Sequence, residues 1–141
     1  MDYSNIITPK RLTNMQEMEV HVKGPDGANR LLIYSGMAEV ELRGGLPHPR
    51  WSLEIICFDV GRVYDCNNGE SVIKSVTTAS FAGGRMDGVA SFAGWQIFGA
   101  AAELDQEDGR LRVNIAAGAR DTQAYLEQIA FHVNVLAKIN D

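Results

Sequence analysis

The sequence predicts an all-β domain, either an antiparallel β-sandwich or an up-and-down barrel, with seven or more strands. Three observations carry this expectation. Stretches of period-two alternation recur along the chain, as in Met18, Val20 and Val22 against Glu19, His21 and Lys23. Turn signals such as Gly24-Pro25-Asp26-Gly27 separate them, because Pro presets φ and Gly permits positive φ. The pentapeptide Ala79-Ser80-Phe81-Ala82-Gly83 returns as Ala90-Ser91-Phe92-Ala93-Gly94. Paired as a hairpin around Arg85 to Gly88, the two copies would set Phe81 opposite Phe92.

Residues 1–14, which include Pro9, Lys10 and Arg11, follow neither period and are expected to form an N-terminal arm; residues 15–141 form one β domain. The Met18 to Val22 alternation predicts a half-buried strand with His21 in solvent. A second strand is expected from Arg30 to Arg43, with Ala38, Val40 and Leu42 on one face and Gly36 as a bulge or bend. Gly44-Gly45-Leu46-Pro47-His48-Pro49 ends it, since proline cannot donate to a ladder. Trp51 to Cys66, rich in Ile, Phe, Val and Tyr, reads as the next strand, bent at Gly61.

After the turn at Asn67-Asn68-Gly69-Glu70, Ser71 to Ala82 and Val89 to Leu104 form the arms that carry the repeat. The second arm is apolar or small on both alternating sets. A strand of that kind is covered on both faces, either at the centre of a layered domain or at a subunit interface. Trp95, Ile97, Gly99 and Ala101 are the candidate interface residues. Arg110 to Ile115 alternates again. In the last segment, Leu126, Ile129, Ala130, Val133 and Leu136 would fit a helical stripe, but Ile129, Phe131, Val133 and Val135 alternate and β-branched residues dominate. A strand from Tyr125 to Ala137 is therefore expected, with a helix as the competing reading.

Composition bounds the function. The 141 residues suit one domain, and 45% hydrophobic with 22% charged residues is the profile of a folded globular chain. A net charge of -5 argues against a phosphate-backbone binder, so nucleic acid is not an expected partner. No apolar run approaches the roughly 20 residues of a membrane helix, and Met1 to Lys10 lack the apolar core of a secretory signal, so the expected setting is cytoplasmic, without a membrane. Cys57 and Cys66 lie in one extended stretch, about 30 Å apart if straight, too far for a disulfide. No cofactor is implied. With no CxxC and only His21, His48 and His132, no metal site is expected.

In a meander, alternate turns collect at opposite ends. One end receives Arg43, His48, Arg50, Arg85, Asp87, Arg120 and Asp121, and the other Asp26, Asp65, Glu70, Asp105, Glu107 and Asp108. Arg50, Arg85 and Arg120, with Trp51 and His48 beside them, would form a mouth for a small anionic molecule. The acidic turn Asp105 to Gly109 does not match a calcium loop and reads as a solvated hairpin tip. Asp59 would act as a base if buried, or face outward if Gly61 makes a bulge. His48 is the other acid-base candidate, although no nucleophile motif accompanies it. The expected function is a non-enzymatic structural or interaction domain that self-associates into a homo-oligomer. The alternative is a barrel that binds a small anionic ligand at an arginine-rich mouth.

Overall fold

A computed structural model describes residues 6–22, 29–45, 50–88 and 93–140. Its strands are β1 (Ile6–Ile7), β2 (Arg11–Val22), β3 (Asn29–Arg43), β4 (Trp51–Val63), β5 (Ser71–Met86), β6 (Gly94–Asp105), β7 (Arg110–Arg120) and β8 (Ala124–Lys138), with a 3-10 turn at Cys66–Asn68. They form two four-stranded sheets, sheet I in the order β1-β4-β7-β6 and sheet II in the order β2-β3-β8-β5. The fold is an all-β sandwich, and the C-terminal segment is a strand. Among the described residues no helix is long and apolar enough to cross a membrane.

Alternation explains the core. Leu32, Tyr34, Ala38, Val40 and Leu42 from β3 meet Ile56, Phe58 and Val60 from β4, Leu111, Val113 and Ile115 from β7, and Leu126, Ile129, Phe131, Val133 and Val135 from β8, all buried in one cluster. The breaks in alternation are bulges. At Gly61 the backbone takes φ +73°, the ladder slips between Val60 and Val63, and the strand bends over the ring of Tyr34. At Gly36, the missing Cβ makes room for Met15, where β2 bulges between Thr13 and Gln16.

Several expectations are corrected. The chain is not a simple meander: β2-β3 and β6-β7 are hydrogen-bonded neighbours in sequence, while β3 to β4, β4 to β5, β5 to β6 and β7 to β8 all cross between sheets. The two arms of the pentapeptide repeat therefore do not pair in their described parts. Phe81 registers with Ile129 of β8 and stacks on Trp95 at 5.5 Å, and Phe92 lies outside the described residues. The cause is that β5 takes β8 as its partner along its length, with bulges at Gly83 and Gly84 turning its end toward the other sheet. Nor is the N-terminal segment wholly an arm, because Ile6 and Ile7 pair in parallel with Ile55 and Ile56, and β2 begins at Arg11.

The strand read as apolar on both faces, β6, is an edge strand of sheet I. A bulge between Ile97 and Gly99 inserts Phe98, so Trp95 and Ile97 before it and Ala100, Ala102 and Leu104 after it all pack on the core. The other set, Gln96, Gly99, Ala101 and Glu103, is exposed. A slip of one residue exchanges the faces of a strand, which is why simple alternation mis-sorted these positions.

Candidate functional site

The two edges of the sandwich differ. On one side β6 closes against sheet II: Trp95 Nε1 donates to the Tyr125 carbonyl of β8 at 2.6 Å, and Ser75 Oγ of β5 donates to the Ala102 carbonyl at 3.1 Å. Each bond joins the two sheets. On the other side lies β2, the terminal strand of sheet II, and the corresponding edge of sheet I is the two-residue β1. From Asn14 to His21 every residue of β2 is exposed, so neither face is covered.

The register assigns the faces of β2. Met18 lies opposite Ile33 and Val20 opposite Leu31, on the face that points away from the core, whereas Glu19 lies opposite Leu32 and Glu17 opposite Tyr34. The expectation of a half-buried strand is corrected here. Met18 is 59% and Val20 43% exposed, because the alternation marks an apolar face without supplying a layer to cover it. His21 is exposed as expected, in register with Arg30. Arg30 is buried and pairs with Glu19 at 3.2 Å, which ties the polar face of β2 to the body of the domain. A cleft of about 560 Å³ beside the strand is lined by Gln16, Glu17, Met18, Ile33, Ser35 and His132. The sequence signal for this surface was the Met18-Val20-Val22 row itself, read as core.

The proposed anion mouth is assembled only in part. The turns that follow β3, β5 and β7 do meet at one end: Gly44 N donates to the Ala124 carbonyl at 2.9 Å and Asp87 N to the Gln123 carbonyl at 2.8 Å. The arginines, however, divide between two outer faces. Arg120 lies over Trp51 at 4.9 Å, on sheet I, with exposed Arg50 preceding it on the chain. Arg85 lies over Tyr125 at 3.9 Å, on sheet II, with Arg43 at 5.7 Å from the same ring. Carboxylates already surround Arg85: Glu127 at 3.2 Å, Asp87 at 3.3 Å and Glu41 at 4.0 Å. His48 lies outside the described residues.

A second cleft, of about 420 Å³, is bordered by Lys10, Arg11, Glu39, Gly83, Glu127 and Gln128. Its charges are matched internally: Arg11 pairs with Glu39, and Lys10 with Glu41 at 2.9 Å. The Lys10 ammonium holds the Glu41 carboxyl below its ordinary range, and the bond to Glu39 raises Arg11.

The four interface candidates divide as the bulge dictates. Trp95 and Ile97 pack on the core, while Gly99 and Ala101 are exposed on the opposite face. Phe98 joins that outer face and meets Trp51 edge-on at 5.7 Å.

Asp59 faces outward, as the bulge reading expected, and is held by Arg112 at 3.2 Å and Arg110 at 4.0 Å. Asp59 in turn raises Arg112. Asp105 and Asp108 also contact Arg112, at 3.2 and 3.5 Å, and each accepts a backbone N–H of its own turn. These carboxylates serve the hairpin and its arginine. Among the described residues no group of three His, Cys, Asp or Glu could hold a metal ion. Cys57 and Cys66 are free thiols, and partial burial raises Cys57 above the ordinary thiol range.

No protein-family model, curated protein or solved structure matches the chain.

Proposed function

We propose that the protein is a non-catalytic structural or interaction domain that acts as a homo-oligomer, associating through the open side of the sandwich. One observation carries this reading: β2 is a long edge strand exposed on both faces, while the opposite edge is closed by hydrogen bonds between the sheets. An uncovered edge presents unpaired N–H and C=O groups, and proteins that stay monomeric shorten, bend or cover such strands. From Gln16 to Val22, β2 is regular and unbulged, with apolar Met18 and Val20 uncovered. A second copy would supply the missing partner.

The reading as a binder of small anions keeps Arg50, Trp51 and Arg120 but loses Arg85, whose guanidinium is already neutralised and faces the other way. Among the described residues, a catalytic reading loses Asp59, which is engaged by two arginines. A cytoplasmic setting agrees with the two free thiols.

Size-exclusion chromatography with light scattering tests the proposal. An oligomer stable at micromolar concentration is expected, and Val20→Lys shifts it toward monomer without lowering the far-UV signal of the sheet. A strict monomer at that concentration would overturn the reading.

A further inference from the structure

Resting on the self-association reading, we propose the contact itself: β2 of one copy pairs antiparallel with β2 of a second copy, with Val20 on the two-fold axis. The two copies of sheet II then form one continuous sheet. The charges of the strand select this register. A two-fold axis perpendicular to the sheet keeps each face on its own side, so apolar residues must meet apolar ones and the polar set must meet itself.

Of the registers that satisfy that condition, three pair five or more residues of each copy within the regular stretch Gln16 to Val22. With Met18 on the axis, Glu17 would meet Glu19 of the other copy, twice. With Glu19 on the axis, Glu17 would face His21 on both sides, but Glu19 would face its own image at the centre. Like charges directly opposite each other disfavour both. With Val20 on the axis, Glu19 faces His21 of the partner strand on both sides, Met18 faces Val22, and Val20 faces Val20. The acid that repels in two registers is matched in the third.

The surroundings are compatible. On the polar face, Glu19 also touches Arg30, and His21 lies in register with Arg30, so the new polar contact adjoins the existing Glu19–Arg30 pair at the junction. On the apolar face, Met18 and Val20 gain lateral cover from Val22 and Val20 of the second copy. The Thr13 to Gln16 bulge lies beyond the paired stretch and ends it, since it breaks the regular spacing of the edge. The missing layer opposite β2 leaves the polar row Glu17, Glu19 and His21 in water, where charged groups belong.

Cross-linking reads the register directly. In a full-length chain carrying Cys57→Ala and Cys66→Ala, single cysteines are placed by Val20→Cys, Met18→Cys and Val22→Cys, and mild oxidation follows. Directly opposed cross-strand residues lie close enough for a disulfide. Val20→Cys is expected to give covalent dimer at least about fivefold faster than either other variant alone, and an equimolar mixture of Met18→Cys with Val22→Cys to cross-link as a heterodimer. His21→Glu sets two acidic pairs face to face and is expected to weaken dimerisation by about tenfold. If light scattering shows an oligomer but Val20→Cys has no such preference, this contact is wrong while self-association stands. If the chain is a strict monomer, both fall.

Discussion

At position 61 the backbone has φ +73°, and a Cβ there would lie 2.3 Å from Cζ of Tyr34. Glycine is required twice over, by the left-handed conformation and by the ring beneath it. Gly61→Ala should lower stability by about 3 kcal/mol, combining backbone strain with overpacking. Urea unfolding measures it, and a loss under about 1 kcal/mol would mean that Tyr34 swings aside at little cost. Tyr34 itself and Tyr64 are buried, and neither hydroxyl has a well-formed hydrogen bond. Burial pushes both phenols above the ordinary tyrosine range, and for Tyr64 the neighbouring Tyr34 adds to the shift. The sign follows from the neutral form being favoured in the fold. Their contribution is fully present below about pH 10, where an unfolded tyrosine ionises, and is lost as pH rises beyond it. Stability should therefore fall steeply above about pH 10, and the Tyr34→Phe, Tyr64→Phe double variant should show a shallower fall when denaturation midpoints are compared across pH. At neutral pH, Tyr34→Phe should cost about 1 kcal/mol or less, since the buried hydroxyl it removes makes no well-formed hydrogen bond with its neighbour Tyr64.

Among the elements, β6 shows how a single inserted residue sets what a strand can do. Trp95 reaches its inner position because the strand bulges at Phe98, and its indole N–H then closes onto Tyr125 of the facing sheet. Gly84 makes the approach possible: a Cβ there would lie 2.9 Å from the indole nitrogen and 2.6 Å from the Tyr125 carbonyl oxygen. Trp95→Phe removes this clip and should destabilise the fold by about 1–3 kcal/mol, visible in thermal unfolding, whereas Gln96→Ala on the exposed face should change it by less than about 0.5 kcal/mol. The same strand marks the limit of what alternation reveals. The elements from β3 to β8 follow from β-branched and aromatic residues, and their ends from Gly, Pro and Asn. Gly61 announced its bend. Which strands lie side by side was hidden, because pairing depends on residues far apart in sequence. The hairpin expected of the repeat arms failed for that reason in its described residues, where β5 pairs with β8, and so did the converging arginines: the turns gather at one end as expected, but Arg85 and Arg120 leave from opposite sheets. The open edge at β2 was legible only as an apolar row, since no sequence pattern states what covers it.

For the molecule as a whole, the last strand decides whether a fold exists. β8 lies between β3 and β5 and pairs with both, from Ala124 to Lys138 on the β5 side and from Tyr125 to Lys138 on the β3 side. Its inner residues Leu126, Ile129, Phe131, Val133 and Val135 are fully or almost fully buried. Beyond it, Asn140 N donates to Glu70 Oε2 at 2.7 Å, while Glu70 Oε1 accepts the Asp65 N–H, fastening the end of the chain to the β4–β5 turn. The β3–β8 ladder joins Asn29 to Lys138, so loop closure over most of the chain precedes its formation. Without β8, sheet II would be reduced to the β2–β3 hairpin and an unpartnered β5, and the core of the sandwich would lose one wall. A chain ending at Arg120 is thus expected to show no cooperative melting transition by circular dichroism. Among the described residues, deleting residues 1–10 removes β1 with the core contact of Ile7, the Lys10–Glu41 pair and the Lys10 N–H bond to the Glu39 carbonyl, and that chain should still melt cooperatively. The intact protein should refold on the millisecond-to-second scale of sandwiches built from distant pairings. A cooperative transition in the 1–120 fragment would show instead that sheet I carries the fold alone.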